Sequence, residues 1–500
     1  MFARDPCIMR ACFRPGLLED LGGRVVRGAV WMAVFIVLRA VITIGATAVL
    51  ARLLTPTDFG LVAMATVAVE LAGILCAFNL PAIIVRSTRL TRLDLDSAFW
   101  LSLAIGTSVT ALIIIGSPVA ALLFGEPALM PILCALSAMI LFEELSAVHF
   151  SIASRLLLIG NEVGCQVVSL VVRVGVSIAL AMAGCGVWSL VWGSLIGRAV
   201  YCALLWWSIP YIPRWRMHGR FVRRNLRAGG SYLGSSALFC FSYSVDPAIV
   251  GRMFGVTPLG FYQTAFALPE ELRSRIALAV MRVSFPAFAL IQSDHAAFQA
   301  GVLQSLRFLA VIIVPMGVGI AVLADPIVRV LYGDQWLPVV PMLRIAAIIG
   351  ILRAFQVLLG NIYRAKGRPD LEFKIGLAIA PLLVVAVLAG SHWGTMGVAC
   401  GMLGFTIVSL ASTYFALRLI ELPPFEILRA LVPASAAAIL MGFGLQGLAA
   451  IDALPHTTEI LSLAVNVGTG VLLFFLPLLL ASRKTLADFR LMAHLLGLRK

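Results

Sequence analysis

The sequence predicts an all-α integral membrane protein of about fourteen transmembrane helices, and three observations lead there. Hydrophobic residues make up 61% of the 500-residue chain, charged residues 12%, and the mean hydropathy is +1.02. A soluble domain carries roughly 25% charged residues, so this chain has no water-facing surface to spare. Apolar runs of the length a bilayer requires, about 20 residues, recur from one end of the chain to the other. Finally, one segment occurs twice. Ala48-Val-Leu-Ala-Arg-Leu-Leu-Thr-Pro-Thr-Asp-Phe-Gly60 lies over Ala248-Ile-Val-Gly-Arg-Met-Phe-Gly-Val-Thr-Pro-Leu-Gly260 without a gap, Arg52 on Arg252 and Gly60 on Gly260.

Taken in order, the apolar runs place spans near 28–52, 58–79, 97–123, 127–150, 161–183, 187–208 and 229–251, then 260–286, 302–324, 339–362, 374–390, 394–417, 428–449 and 460–481. The first two and the seventh and eighth are hairpins around the repeated segment, each a helix end, a short turn with Pro and a new helix start. Gly184-Cys-Gly186 and Ser391-His-Trp-Gly394 are tight connections between the fifth and sixth and the eleventh and twelfth spans. The eighth span is the weakest, because Glu270, Glu271, Arg273 and Arg275 interrupt it.

Basic residues set the orientation. The net charge of +14 is not a nucleic-acid signature, because the Arg and Lys cluster in short inter-helical loops. One side holds Arg4, Arg10, Arg14, Arg24 and Arg27, then Arg86, Arg89 and Arg92. It also holds six Arg between Arg214 and Arg227, then Arg364, Lys366 and Arg368, and the tail with Arg483, Lys484, Arg490, Arg499 and Lys500. The other side has little beyond Arg52, Arg252 and Arg329. Positive loops stay in the cytoplasm, so both termini are expected there. Asp5, Glu19 and Asp20 argue against a cleavable signal at the N-terminus. The nine Cys show neither CxxC pairs nor disulfide-like spacing.

Spans one to six and seven to twelve form two repeats. Pro131-Ile-Leu-Cys-Ala-Leu in the fourth span matches Pro341-Met-Leu-Arg-Ile-Ala in the tenth. An even number of spans per repeat gives both copies one orientation, with a pseudo-axis along the membrane normal. The expected organisation is a tail over 1–27, a first six-helix bundle over 28–209, a basic linker over 210–228, a second bundle over 229–420, two outer spans over 421–482 and a tail over 483–500.

Arginines inside the apolar runs are the strongest functional signal. Arg39, Arg173, Arg198 and Arg353 lie near mid-span; Arg307 and Arg344 lie nearer span ends. Each would cost about 2.5–3.5 kcal/mol facing lipid, roughly 10–14 kcal/mol for four. Facing a hydrated cavity removes most of that cost. Glu70 and Asp246 are acidic residues at depth, with Glu143 and Glu144 nearer a cytoplasmic end. The balance is positive and suits an anionic substrate, since Arg grips phosphate oxygens in pairs; a cation exporter would show buried carboxylates in excess. Arg39, Arg173, Arg353 and Arg307 are therefore candidate substrate ligands, and Glu70 and Asp246 candidate ion-coupling sites. Bonding of Arg39 to helix carbonyls, snorkelling of Arg198 and Arg344, and salt-bridge roles for both acids are the alternatives.

Ala51-Arg-Leu-Leu-Thr-Pro-Thr-Asp-Phe-Gly-Leu61 resembles the first extracytoplasmic turn of the bacterial polysaccharide transporters, the oligosaccharide flippases. Asp246-Pro-Ala-Ile-Val-Gly-Arg-Met-Phe-Gly-Val-Thr-Pro-Leu-Gly-Phe-Tyr262 resembles that family's seventh-span pattern. Phe285-Pro-Ala-Phe, Tyr332-Gly-Asp-Gln-Trp336 and Asn361 to Asp370 resemble further family stretches. The resemblance implies two six-helix bundles around a central cavity plus two extra helices. It implies flipping of an undecaprenyl-diphosphate-linked oligosaccharide, for exopolysaccharide or lipopolysaccharide biosynthesis, across the bacterial inner membrane. Membrane lipids would surround the chain, and a polysaccharide polymerase and co-polymerase are candidate partners. Arg39 departs from the family, whose members more often carry an uncharged polar residue there. The rival readings are a multidrug or cation antiporter of the same superfamily, a peptidoglycan-precursor flippase and a polysaccharide polymerase. The sequence contains no Walker A motif, HExxH, catalytic triad or metal cluster, so neither cofactor nor enzymatic activity is expected.

Overall fold

In the computed structural model the residues described are 21–76, 84, 87, 90–156, 158–290, 294–450 and 459–481. The basic residues Arg4, Arg10, Arg14, Arg86 and Arg89 and the tail from Arg483 lie outside them. Among the described residues there are sixteen α-helices, two short 3-10 turns and no strand. This is the chemistry of a chain in lipid, where each backbone N–H and C=O must be satisfied within its own segment. Eleven helices are long and apolar enough to cross a membrane, and the protein is a multi-pass membrane protein. Leu21–Leu53, Gly219–Phe254 and Val256–Leu290 are equally long helices outside those eleven. The chain separates into two compact units, Met1–Gly260 and Phe261–Lys500.

The first unit holds α1 (Leu21–Leu53), α2 (Pro56–Gly73, continued by a 3-10 turn Ile74–Cys76), α3 (Arg92–Phe124), α4 (Leu129–Arg155), α5 (Ile159–Met182), α6 (Val187–Ser208) and α7 (Gly219–Phe254). Capping boxes start two of them. Thr55 accepts from the Asp58 N–H while its own N–H donates to Asp58 Oδ2 at 2.9 Å; Thr91 and Asp94 repeat the arrangement ahead of α3. Gly125, in the left-handed region at φ 72°, ends α3. α3 packs on α4, α4 on α6, α5 on α6, α1 on α5, and α2 on α4 and α7. The basic linker expected over 210–228 is irregular only up to His218; from Gly219 the chain is already helical.

The second unit holds most of α8 (Val256–Leu290), then α9 (His295–Val322), α10 (Ala324–Leu331), a 3-10 turn Asp334–Trp336, α11 (Val339–Ala365), α12 (Pro369–Ser391), α13 (Gly394–Ser409), α14 (Ala411–Leu419), α15 (Pro424–Ala450) and α16 (Glu459–Ala481). α9 packs on α11, α11 on α13, and α12 on α13. These are the contacts α3–α4, α4–α6 and α5–α6 over again. The twelfth span breaks in two at Leu410, beside which the Gln356 Nε2 donates to Ser409 Oγ at 2.6 Å and the Tyr363 hydroxyl to Ser412 O at 2.8 Å. The last two helices do more than coat the outside. α15 lays Ala434, Ala438 and Met441 against the core of α9 and α11, where Phe298, Leu306 and Leu358 are buried. Phe425, Val432 and Phe443 on its other face remain exposed, the surface lipid requires.

The duplicated segment meets its own copy inside the first unit. Thr57 and Thr257 share a hydrogen bond between hydroxyls at 2.8 Å. A Cβ on Gly60 would stand 2.0 Å from Val256 O, and a Cβ on Gly260 would stand 2.0 Å from Pro56 O. Every partner is displaced by 200 residues from its counterpart, so the starts of α2 and α8 cross with local two-fold symmetry. Only glycine allows this approach.

Candidate functional site

Arg39 lies 14 residues before the end of α1 at Leu53, and Arg173 lies 9 before the end of α5 at Met182, on helices that pack together. Arg39 is half-buried and Arg173 exposed. The stem of Arg173 passes over Gly197 of α6, where a Cβ would come within 2.6 Å of the Arg173 Cβ. Glu70 is exposed on α2; Asp246 is buried on α7, its accessibility 6%. α2 and α7 pack on each other, and the Cys240 thiol donates to Glu70 O at 3.5 Å.

The remaining two candidate cations belong to the second unit. Arg353 is half-buried on α11, 12 residues before Ala365, and Arg307 is half-buried on α9. Arg307 was expected near a span end. Since α9 begins at His295 rather than 302, Arg307 falls 12 residues in, close to the helix middle. α9 and α11 pack on each other. Two units thus each carry a pair of mid-helix guanidinium groups on adjoining helices. Such a group can grip two phosphate oxygens at once. Arg344 is exposed five residues after the start of α11.

Acidic residues reach deeper than the sequence suggested. α4 extends to Arg155, five residues beyond the expected end at 150, and this carries Glu143 and Glu144 towards mid-helix. Glu143 stands 3.7 Å from Arg198, so Arg198 is a salt-bridge partner. The charges that disturbed the eighth span lie inside the unbroken helix α8. Arg273 is buried and bonds Glu270 one turn away, its Nε to Oε2 at 2.9 Å, and Arg275 bonds Glu271 at 2.9 Å. The sequence signal was present in the spacings Glu-x-x-Arg and Glu-x-x-x-Arg, which put both partners on one helix face.

The loop after α6 is held onto α3 and α4 by polar contacts. The Tyr211 hydroxyl donates to Asp96 Oδ1 at 2.7 Å, the Arg214 N–H to the same oxygen at 3.2 Å, and the His218 N–H to Ser97 Oγ at 2.8 Å. Trp100 donates to Arg214 O at 2.9 Å, and a ring nitrogen of His149 lies 3.1 Å from Tyr211 O. Burial raises the Tyr211 phenol above its ordinary value, and the bond to Asp96 adds to the effect. Ile212 is largely exposed, and Trp215, though largely exposed too, sets its ring edge-on to Trp100 with 4.0 Å between centroids. Among the described residues no group of His, Cys, Asp and Glu is placed to hold a metal.

The fold is that of a polytopic all-α membrane protein. It is similar to the lipid II flippase MurJ in an inward closed conformation, with a TM-score of 0.72 and 16% identity over 89% of this chain and 97% of that one. It is also similar to an inward-facing multidrug resistance transporter of the MATE family, with a TM-score of 0.56 and 15% identity over 80% and 98%. A family profile described as polysaccharide biosynthesis protein matches residues 49–341, and the chain belongs to that family. Among its relatives are the lipopolysaccharide biosynthesis protein WzxC of Escherichia coli (24% identical over 80% of this chain and 82% of the relative) and the teichuronic acid biosynthesis protein TuaB of Bacillus subtilis (24%, over 76% and 79%). The succinoglycan biosynthesis transport protein ExoT of Rhizobium meliloti is 26% identical over 60% and 61%.

Proposed function

We propose that this protein is a flippase that moves polyprenyl-diphosphate-linked oligosaccharide units across the bacterial inner membrane for exopolysaccharide or lipopolysaccharide assembly. Arg39, Arg173, Arg307 and Arg353 would take the diphosphate and any acidic sugar substituents as the protein exposes them alternately to each side. The observation that carries this reading is the siting of these four guanidinium groups well inside long helices of a chain from a polysaccharide biosynthesis family. Placing a charge at that depth costs about 2.5–3.5 kcal/mol unless water or an anion meets it. All fourteen long helical passes would cross the membrane, with both termini in the cytoplasm. Residues 28–209 and 229–420 would be the two repeated bundles, and a polysaccharide polymerase and co-polymerase would act on the delivered units. Glu70 and Asp246 are candidate ion-coupling residues.

The test follows the sidedness of a labelled lipid-linked oligosaccharide in vesicles holding the purified protein. The wild type is expected to move label to the far leaflet, and Arg39→Ala and Arg353→Ala each to lose most of that movement. Unchanged movement in both variants would remove the arginines from the site. Efflux of cationic drugs with no movement of label would replace the function itself.

A further inference from the structure

A second site lies in the first unit, among side chains that the transport reading leaves unused. Glu144 stands 15 residues from one end of α4 and 11 from the other, about 22 Å and 17 Å along the axis. Its side chain crosses α3 at Gly106, where a Cβ would come within 2.7 Å of the Glu144 Cγ. One turn earlier on the same face of α3, Ser102 stands beside the Glu144 carboxylate, outside hydrogen-bond distance of it. Ser102 is 1% exposed, and its Oγ makes no hydrogen bond in the structure. Helix α3 thus supplies a gap and an unsatisfied hydroxyl to one mid-helix carboxyl.

The charged and titratable neighbours narrow the choice of ligand. Cys76 approaches from the turn after α2, and Glu143 precedes Glu144 on α4, where Arg198 of α6 holds it at 3.7 Å. On α5, Glu162 accepts from Gln166 at 2.9 Å instead, and His149, a turn further along α4, is turned to Tyr211 O. A metal cation needs several oxygen ligands, whereas here the Glu144 carboxylate has one hydroxyl beside it and the neighbouring Glu143 is engaged by Arg198. A proton needs one oxygen. The serine hydroxyl suits both states, since it accepts from the acid and, once rotated, donates to the carboxylate.

We propose that Glu144, seated over Gly106 and facing Ser102, is a proton-binding site that couples a proton gradient to transport. Proton binding follows from these residues alone, whereas coupling rests on the transport reading above. On loading, one carboxylate oxygen takes a proton and the acid O–H bonds Ser102 Oγ. On release, the proton leaves to water and the carboxylate receives the serine O–H. An acid at this depth is where membrane proteins place proton relays.

Two measurements on the purified full-length protein in vesicles test it. Infrared difference spectra recorded across a pH titration are expected to show a carboxylic-acid C=O band that disappears in Glu144→Gln and shifts in Ser102→Ala. An identical band in wild type and Glu144→Gln would overturn the site, and this readout needs no substrate. With labelled lipid-linked oligosaccharide, an imposed pH gradient is expected to accelerate wild-type movement, and Glu144→Gln to lose that acceleration while Glu144→Asp keeps part of it. Acceleration retained in Glu144→Gln, or produced by a sodium gradient alone, would overturn coupling through this proton. Failure of the wild type to move any label would reject the transport reading and leave the spectroscopic result standing.

Discussion

Tyr211 gives its hydroxyl to Asp96, a carboxylate that is 1% exposed and that also accepts the Arg214 N–H. A hydrogen bond to a charged group contributes about 1.5–3 kcal/mol, so Tyr211→Phe is expected to lower the unfolding midpoint in detergent and to speed proteolysis between residues 209 and 218. The pH dependence has a definite sign. The folded protein raises the Tyr211 phenol above its ordinary value of 10.0. The stability this residue contributes is therefore complete below that pH and is lost as the pH climbs past it. Alkaline unfolding should set in above about pH 10 in the wild type, and this component should be missing in Tyr211→Phe. A melt with the same alkaline slope in both proteins would refute the assignment. Single residues were unevenly legible in the sequence. Arg39, Arg173 and Arg353 were conspicuous because apolar neighbours isolate them. Glu144 was not, because its depth depends on where α4 ends and its partner Ser102 is an ordinary serine some forty residues earlier.

Helices tolerate charge when the partner is one turn away. α8 keeps its course through Glu270, Glu271, Arg273 and Arg275 because two same-face pairs neutralise one another. Breaking a buried pair costs about 3–5 kcal/mol. Arg273→Leu should cost less, since the Glu270 side chain it strands is 39% exposed, and Arg275→Leu more than Arg273→Leu, since it strands Glu271, whose side chain is only 23% exposed. Thermal melts of the two variants check that order. The starts of α2 and α8 are more demanding. Gly60→Val would drive a side chain into the Val256 carbonyl, and overpacking typically costs about 1–3 kcal/mol. Thr55→Ala, which removes only the α2 cap, is expected to cost about 0.5–2 kcal/mol, and measured midpoints should rank Gly60→Val below it. Hydropathy located most helices, yet their ends ran past the apolar runs. α7 starts at Gly219, ten residues ahead of the expected 229, because a basic amphipathic stretch can continue a helix beyond the apolar core.

Across the whole protein, the asymmetry of basic loops makes a topological statement that labelling can reject. With Trp215→Cys, at a side chain 84% exposed, a membrane-impermeant thiol reagent should react only from the cytoplasm; with Trp393→Cys, 76% exposed, only from outside. The native cysteines must first be replaced. Reversed labelling would invert the assigned orientation. The global plan was legible for a physical reason: long apolar runs allow little but helices in lipid, and a repeated hydropathy pattern implies repeated packing. The two-unit division was not. The expected boundary fell in the loop after α6, whereas α7 joins the helices before it, because its contacts with α2 and α3 are made by side chains far apart in sequence.

The pairing of Thr57 with Thr257 and of Gly60 with Val256 ties two stretches of ancestry together. Copies of a duplicated segment ordinarily drift apart, each answering to its own surroundings. Here each copy is the other's surroundings, and a methyl group gained by either would strike the main chain of its twin. Whatever else has diverged between the halves, this crossing is a place where neither can be rewritten alone.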